Sequence, residues 1–368
     1  MPKIRFTGDI FRKQKYGGVS KYFSRLISGL RENPEFSIFV DVFVHINRHL
    51  DKNTLNQPNL VSPFSLDTPL ISRLSREVDN LFLRNNRKEN FDILHETFFY
   101  AGVVQNNSEQ RVVTIYDTIR EIFGPHTGQL EKKAKSIDLS DHIICISETT
   151  KGDLIKFYGT PSQKISVIPL GVDKAPFVNK SFKITKSKEK HQLLFLGQRD
   201  GYKNFSFLLE TFQSSSELQE HFNLVVVGPR YSERELMEIQ DRGLEQHITY
   251  RGSEEHSLQK EFRSSSALLV PSLYEGFGLA ALEAMMSGCV VFSSGTGAQR
   301  EVLRDSSIYF DPLNPDSLSS RLLETFGSPG KMVEMAYRGR LLAEEFSWNK
   351  TVSATCDVYN KLIQGGNY

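Results

Sequence analysis

Short apolar runs, rich in Val and Ile, recur along the chain between longer amphipathic stretches. In the first half they are "KIRFTG", "IFVDVFV", "DILHET", "RVVTIYD", "HIICIS" and "ISVIPLGV". In the second half they are "LLFLG", "LVVVG", "ITYRG", "ALLVPS", "VVFSS" and "SIYFD". Most are bounded by Gly, Asp, Ser or Pro, as strands are. Between most of them lie helical patterns such as "GGVSKYFSRLISGL" and "KNFSFLLETFQ". Continuous apolar strands alternating with helices predict parallel sheets covered on both faces. Two sets of about six predict an α/β chain of two doubly wound, Rossmann-like domains, which bind ligands where the C-terminal ends of their strands face a cleft. The domains are expected at 1–178 and 179–346. The charged, aperiodic run "NKSFKITKSKEKHQ", 179–192, reads as the linker. A further helix, "SWNKTVSATCDVYNKLI", 347–363, carries Val352, Val358, Tyr359 and Leu362, which need a surface to cover. The segment 347–368 is expected to pack back on the first domain.

Composition narrows the class. The 368 residues are too many for one small core, and the net charge of +1 argues against a nucleic-acid partner. Cys145, Cys289 and Cys356 lie far apart and read as reduced, buried thiols of a cytoplasmic protein. "MPKIRFTGDIF" has no apolar core of a signal peptide, and no run approaches the roughly 18 apolar residues of a membrane span.

Three stretches fall at strand ends. In "KYGGVSKYF", Gly17 and Gly18 precede a helix whose N-terminus would attract an anion, although a glycine pair alone also fits an ordinary turn. In "LFLGQRDGYKNF", Arg199 and Lys203 follow a strand; a fork of donors and a compact charge suit a diphosphate, and a solvated loop would also carry them. In "PSLYEGFGLAALEAMMSGCVVFSS", Glu275 sits in a turn and Glu283 on the following helix, both in apolar surroundings that make an unpaired carboxylate costly. The amides of Gly276, Phe277 and Gly278 can converge on an anion or hydroxyl. Carboxylates accept hydrogen bonds from vicinal sugar hydroxyls. The bland alternative is a dipole-favoured helix-end Glu with one salt bridge.

This last stretch resembles the E-x7-E motif of retaining glycosyltransferases of the GT-B fold, family 4. "GGVSKYFSRL", "GQRDGYKNF", "IICISETTKGDLIKFYG", "KISVIPLGVD" and "IYFDPLNPDSLS" resemble that family in order and spacing. The resemblance spans residues 1–363, is weakest over 48–90, and is nearest to bacterial enzymes that build O-antigen or capsular polysaccharide, many from a nucleotide-activated mannose or related hexose. It implies that Glu275 holds a donor-sugar hydroxyl, that the amides of Phe277, Gly278 and Leu279 lie near sugar and diphosphate, and that Glu283 binds the ribose. It implies that Arg199 and Lys203 neutralise the leaving diphosphate, that Gly17 and Gly18 face it from the other domain, and that Tyr250, Arg251 and Gly252 line the nucleobase pocket. The acceptor would be a glycan or lipid-linked. One position departs: the family often has His-Asp where this chain has Tyr116-Asp117. Tyr116 or His95 would then supply the missing contact, and Asp117 is the candidate for acceptor contact. In such a transfer a diphosphate oxygen is thought to take the acceptor proton. With no D-x-D pair in the sequence, neither a metal nor any other cofactor is expected beyond the nucleotide-sugar co-substrate.

Other constellations carry less. His45 and His49 have i, i+4 spacing but no metalloprotease Glu beside the first. "SSGTGAQREV" lacks the third Gly of a dinucleotide loop and reads as a loop near the donor. Two alternatives stand beside the transferase: a nucleotide-sugar epimerase on the same fold and a non-catalytic sugar-nucleotide binding protein. Residues 1–172 hold 23 Lys and Arg against 19 Asp and Glu. They include "RLSREVDNLFLRNNRK", where Leu74, Val78, Leu81 and Phe82 form an apolar stripe beside Arg73, Arg76, Arg84, Arg87 and Lys88. Such a stretch suits weak attachment to an anionic membrane face, or a solvated helix packed on its own domain.

Overall fold

In a computed structural model the described residues are 1–50, 60–62, 69–82, 90–99, 109–124, 128–178, 190–199, 201–252 and 255–365. They form two units: residues 1–171 with 347–368, and residues 172–346.

The first unit holds β1 (Lys3–Thr7), β2 (Ser37–Asp41), β3 (Val44–His45), β4 (Leu60–Val61), β5 (Ile93–Glu96), β6 (Gln110–Ile115), β7 (His142–Cys145) and β8 (Ile165–Val167). Six of them make a parallel sheet in the order β2-β1-β5-β6-β7-β8, with β3 and β4 a separate pair. The run "IFVDVFV" is therefore divided: β2 stops at Asp41, whose carboxylate accepts from Arg5 Nε at 2.7 Å, and Val44 begins the small pair. One sheet face carries Phe6, His95 and Thr114. It is covered by helix Gly18–Glu32, through Tyr22 and Phe23, and by helix Trp348–Ile363, through Tyr359. The C-terminal helix is fastened at both ends. Ser347 caps it, Thr351 Oγ1 donates to Pro169 O at 2.8 Å, and Tyr359 reaches His95. The other face buries Val113, Ile115, Ile143 and Cys145 against Ile137 and Leu154.

The second unit holds β9 (His191–Leu196), β10 (Phe222–Gly228), β11 (Ile248–Gly252), β12 (Ala267–Val270), β13 (Val290–Ser293) and β14 (Ile308–Tyr309). All are parallel, in the order β11-β10-β9-β12-β13-β14. Its core is aromatic, with Phe195, Phe205, Phe212, Phe222, Phe292 and Phe326 buried together. Of the linker expected at 179–192, residues 179–189 lie outside the described residues, and 191–192 already belong to β9. Residues 172–178 lie with the second unit, where Arg340 Nη1 donates to Ala175 O at 2.7 Å.

The chain direction across this sheet reverses between β9 and β12. That is the topological switch point, where loops leaving the strand ends diverge and open a crevice. The loops concerned carry Arg199 with Lys203, and Glu275.

Candidate functional site

Leaving β9, the chain makes a 3-10 turn, Gly201–Lys203, before helix Phe205–Ser214. Asn204 takes a left-handed conformation (φ +56°), and its amide donates to Pro271 O at 3.3 Å and Pro312 O at 3.0 Å. Leu273 N donates to Tyr202 O at 2.7 Å. These bonds tie the β9 loop to the β12 loop and fix the base of Lys203. The Lys203 ammonium then lies 2.7 Å from Glu275 Oε1, which also accepts from Ser272 Oγ at 2.6 Å. Both side chains keep some exposure, 21% and 14%. No donor reaches Glu275 Oε2 among the described residues. The structure thus brings together a cation and a carboxylate that still has an accepting oxygen.

A second loop, Ser293–Gln299, backs this arrangement. Thr296 Oγ1 and Ser294 Oγ donate to Ser272 O at 2.6 and 2.5 Å, and Ala298 N donates to Glu275 O at 2.9 Å. Gly297 sits at φ +58°, and a Cβ there would lie 2.5 Å from Glu275 O and 2.7 Å from Glu275 N. Only glycine allows both the conformation and the approach. Gln299 Oε1 closes the loop by accepting from Ser293 Oγ and from Gly295 N. The run "SSGTGAQREV" is therefore the support of the Glu275 turn. Gly297 and Ser272 were not legible as site residues, because the contacts that join them to the other loop, Gly297 to the Glu275 backbone and Ser272 O to Thr296 Oγ1, span 22 and 24 residues.

Beyond the turn, Gly278 (φ +103°) caps helix Leu279–Met286 without a side-chain bond, and a helix start of this kind favours negative charge. Phe277 is buried and meets Phe346 edge-on at 5.8 Å, so its side chain anchors the turn, and Gly276 is buried beside it. Glu283 is half-buried one turn along.

Arg199 goes elsewhere. Its Nε and Nη2 bind Glu235 at 2.5 and 3.3 Å, Nη1 donates to Pro229 O at 2.8 Å, and Nη2 donates to Arg230 O at 2.9 Å. Its guanidinium covers the Tyr231 ring at 4.4 Å, and its side chain is 3% exposed. Arg199 and Lys203 are not arranged as one basic pair. At the end of β11, Tyr250 OH donates to Gly228 O at 3.2 Å, Arg251 pairs with Glu261 at 2.6 Å, and Gly252 ends the strand exposed.

In the first unit Gly17 caps helix Gly18–Glu32 without a side-chain bond, while Gln14 Oε1 accepts from Ser20 N. Asp117 is half-buried after β6, its Oδ1 accepting from Ile119 N and its carbonyl from Lys133 Nζ. His95 is a correction to the expectation of a sugar contact. It is fully buried, its Nδ1 lies 2.6 Å from Tyr359 OH, and its Nε2 lies 2.9 Å from Thr114 Oγ1. Burial pushes its pKa down to about 3. Tyr116 is also buried, against Tyr22 and Phe23, and burial raises its phenol well above the usual range. His45 ends β3 and does not share a helix face with His49.

Residues 16–175 match the family model described as Glycosyltransferase Family 4, and residues 176–342 the one described as Glycosyl transferases group 1. The chain is 24% identical to O-antigen chain mannosyltransferase B of Escherichia coli over 94% of this chain and 96% of that one. Among solved structures it resembles sucrose-phosphate synthase of Thermosynechococcus elongatus, at TM-score 0.74 and 17% identity over all of both chains. It also resembles Anabaena HepE in complex with UDP-glucose, at TM-score 0.72 and 13% identity over 98% of this chain and all of that one.

Proposed function

We propose that this chain, which belongs to the GT-B glycosyltransferases and carries a family 4 domain followed by a group 1 domain, moves a hexose, mannose first among candidates, from a nucleoside-diphosphate sugar to a glycan or lipid-linked acceptor of surface polysaccharide, with retention of anomeric configuration. The observation that carries this reading is the Lys203–Glu275 pair at the switch point, beside a helix start with no side-chain cap. The mannosyltransferase relative supports the sugar.

The chemistry follows from charge. When the anomeric C–O bond breaks, the diphosphate keeps the electron pair and the sugar becomes cationic. Lys203 and the amides of Phe277, Gly278 and Leu279 would stabilise the departing anion where its charge develops. Glu275 Oε2 would accept a sugar hydroxyl, and Glu283 the ribose. The acceptor oxygen bonds to the anomeric carbon on the face the diphosphate leaves. Its proton passes to a diphosphate oxygen, so no strong protein base is required. Asp117 would then orient the acceptor.

The test is a donor screen that reads nucleoside-diphosphate release with and without acceptor, with the product anomer assigned by NMR. Release that requires acceptor and gives a retained anomer supports the reading. A changed sugar without acceptor would make the protein an epimerase, and binding without release a non-catalytic sugar-nucleotide protein. Turnover should survive EDTA, because Lys203 supplies positive charge at the diphosphate. Full loss that manganese or magnesium restores would overturn that part.

A cytoplasmic location, with attachment to an anionic membrane face, belongs to the same proposal. No described helix is long and apolar enough to cross a membrane. Helix Pro69–Phe82 docks by its polar edge: Asp79 accepts from Phe43 N and Val44 N at 2.9 and 2.8 Å and pairs with Arg12, and Ser75 is buried. Ile71, Leu74 and Leu81 are left exposed, the last at 72%, while Val78 is half-buried. Arg84, Arg87 and Lys88 lie outside the described residues, and in sequence they add positive charge next to this apolar face. Anionic vesicles should sediment the protein at low salt, and both added salt and the R84E/R87E/K88E variant should release it. Wild-type protein left in the supernatant would sink this idea.

A further inference from the structure

Every side-chain nitrogen of Arg199 has a hydrogen-bond partner. A guanidinium taken out of water must have its donors satisfied, and a carboxylate fork with two carbonyls does so here. All of these partners lie in one short stretch, Pro229–Glu235, which leaves the end of β10 and opens helix Glu233–Asp241. Glu235 is also the far member of that helix's capping box, accepting from Ser232 N at 2.7 Å. One side chain on the β9 loop therefore fixes both the turn after β10 and the entry of the next helix.

Tyr231 lies at the middle of this stretch. One side of its ring faces the Arg199 guanidinium at 4.4 Å, and the Tyr250 ring lies 5.1 Å away. Its hydroxyl is buried and has no hydrogen-bond partner among the described residues. Tyr231 is thus held by the guanidinium over its face and a tilted contact with the Tyr250 ring rather than by a hydroxyl bond of its own. The layers Arg199, Tyr231 and Tyr250 come from the ends of β9, β10 and β11, on the side of the switch point away from Glu275.

We propose that Arg199 is a positioning residue, which does not touch the diphosphate but holds Tyr231 and the Pro229–Ser232 turn as the wall against which the donor's nucleoside rests. The proposal rests on the reading above that the donor lies along the C-terminal edge of this sheet. It divides the two cations by part of the ligand, with Lys203 serving the diphosphate and Arg199 serving the nucleoside through Tyr231. A lysine at 199 offers no planar fork and cannot hold Glu235 and both carbonyls together.

The experiment uses three probes on the full chain: a nucleoside without phosphate (uridine and guanosine), its diphosphate, and inorganic pyrophosphate. Their dissociation constants are compared in wild type, Arg199→Ala, Arg199→Lys, Tyr231→Ala and Lys203→Ala. Both Arg199 variants and Tyr231→Ala should weaken the nucleoside and the diphosphate at least tenfold and leave pyrophosphate unchanged. Lys203→Ala should weaken pyrophosphate and the nucleoside diphosphate and leave the bare nucleoside unchanged. In turnover, Arg199→Lys should raise donor KM about tenfold, with kcat and acceptor KM within about threefold of wild type. Loss of pyrophosphate binding with nucleoside binding kept would make Arg199 a diphosphate ligand and overturn the proposal. So would unchanged binding of all three probes, or an equal loss of all three with a lowered melting temperature. Tyr231→Ala keeps the idea testable if Arg199→Ala does not fold. Wild type that binds no nucleotide would instead overturn the transferase reading itself.

Discussion

Lys203→Ala should lower kcat about 100- to 1000-fold while the protein stays folded, the usual cost of one lost donor to developing charge. The ammonium is held in place by structure around it. The 3-10 turn Gly201–Lys203, the left-handed Asn204 and the bond from Leu273 N to Tyr202 O fix its stem, and Glu275 Oε1 fixes its head at 2.7 Å. The stability cost should be small, because partly exposed ion pairs contribute about 0–1 kcal/mol. Turnover and folding are thus separable in one variant. Glu275→Gln should act differently: it keeps an acceptor for the sugar hydroxyl but removes the charge that places Lys203. Steady-state kcat with saturating donor, read beside a melting curve, decides the matter. A Lys203→Ala enzyme with near-normal kcat would remove Lys203 from the leaving-group role.

That site was partly legible in sequence, and the division follows the range of the interactions. The strands were legible because Val- and Ile-rich runs between turn residues have few other homes than a buried parallel sheet. The turn holding Glu275, Phe277 and Gly278 was legible because a carboxylate among apolar neighbours demands a partner. Glu275 finds that partner in Lys203, on the neighbouring loop. Arg199 looked like the companion of Lys203, since they lie four positions apart. Its partners are instead at 229–235, and nothing local to "GQRDGYKNF" indicates that Glu235 will claim it. The run "SSGTGAQREV" read as a loop near the donor, while the close approach of Gly297 to the Glu275 backbone is a property of two loops meeting. His95 in "ILHETF" looked accessible at a strand end. Strand alternation allowed either face, and the helix that covers it comes from more than 250 residues later in the chain.

This burial of His95 should make the first unit less stable in acid. His95 is fully enclosed between Tyr359 and Thr114, and burial drives its pKa from 6.5 to about 3. In the unfolded chain it takes a proton near pH 6.5, and in the fold it does not. Below pH 6.5 the unfolded state therefore binds more protons, and stability falls as the pH falls, by up to about 1.4 kcal/mol per unit until the folded pKa is reached. Between pH 6.5 and 5, before most carboxylates titrate, His95 alone should cost about 1.5–2 kcal/mol. His142 shifts in the same direction, to about 4, chiefly by burial and then by the charges of Lys164 and Lys361. The only tryptophan, Trp348, begins the C-terminal helix that Tyr359 ties to His95, so its fluorescence reports on this unit. Urea unfolding followed by that signal should show the midpoint dropping from pH 6.5 to 5. Tyr359→Phe should lower stability at every pH while keeping the slope, because His95 stays buried. His95→Gln should reduce the slope to the part that His142 contributes. A wild-type midpoint that holds steady or rises over this window would mean that His95 is protonated in the fold, and that its bonds to Tyr359 and Thr114 are not those of a neutral ring.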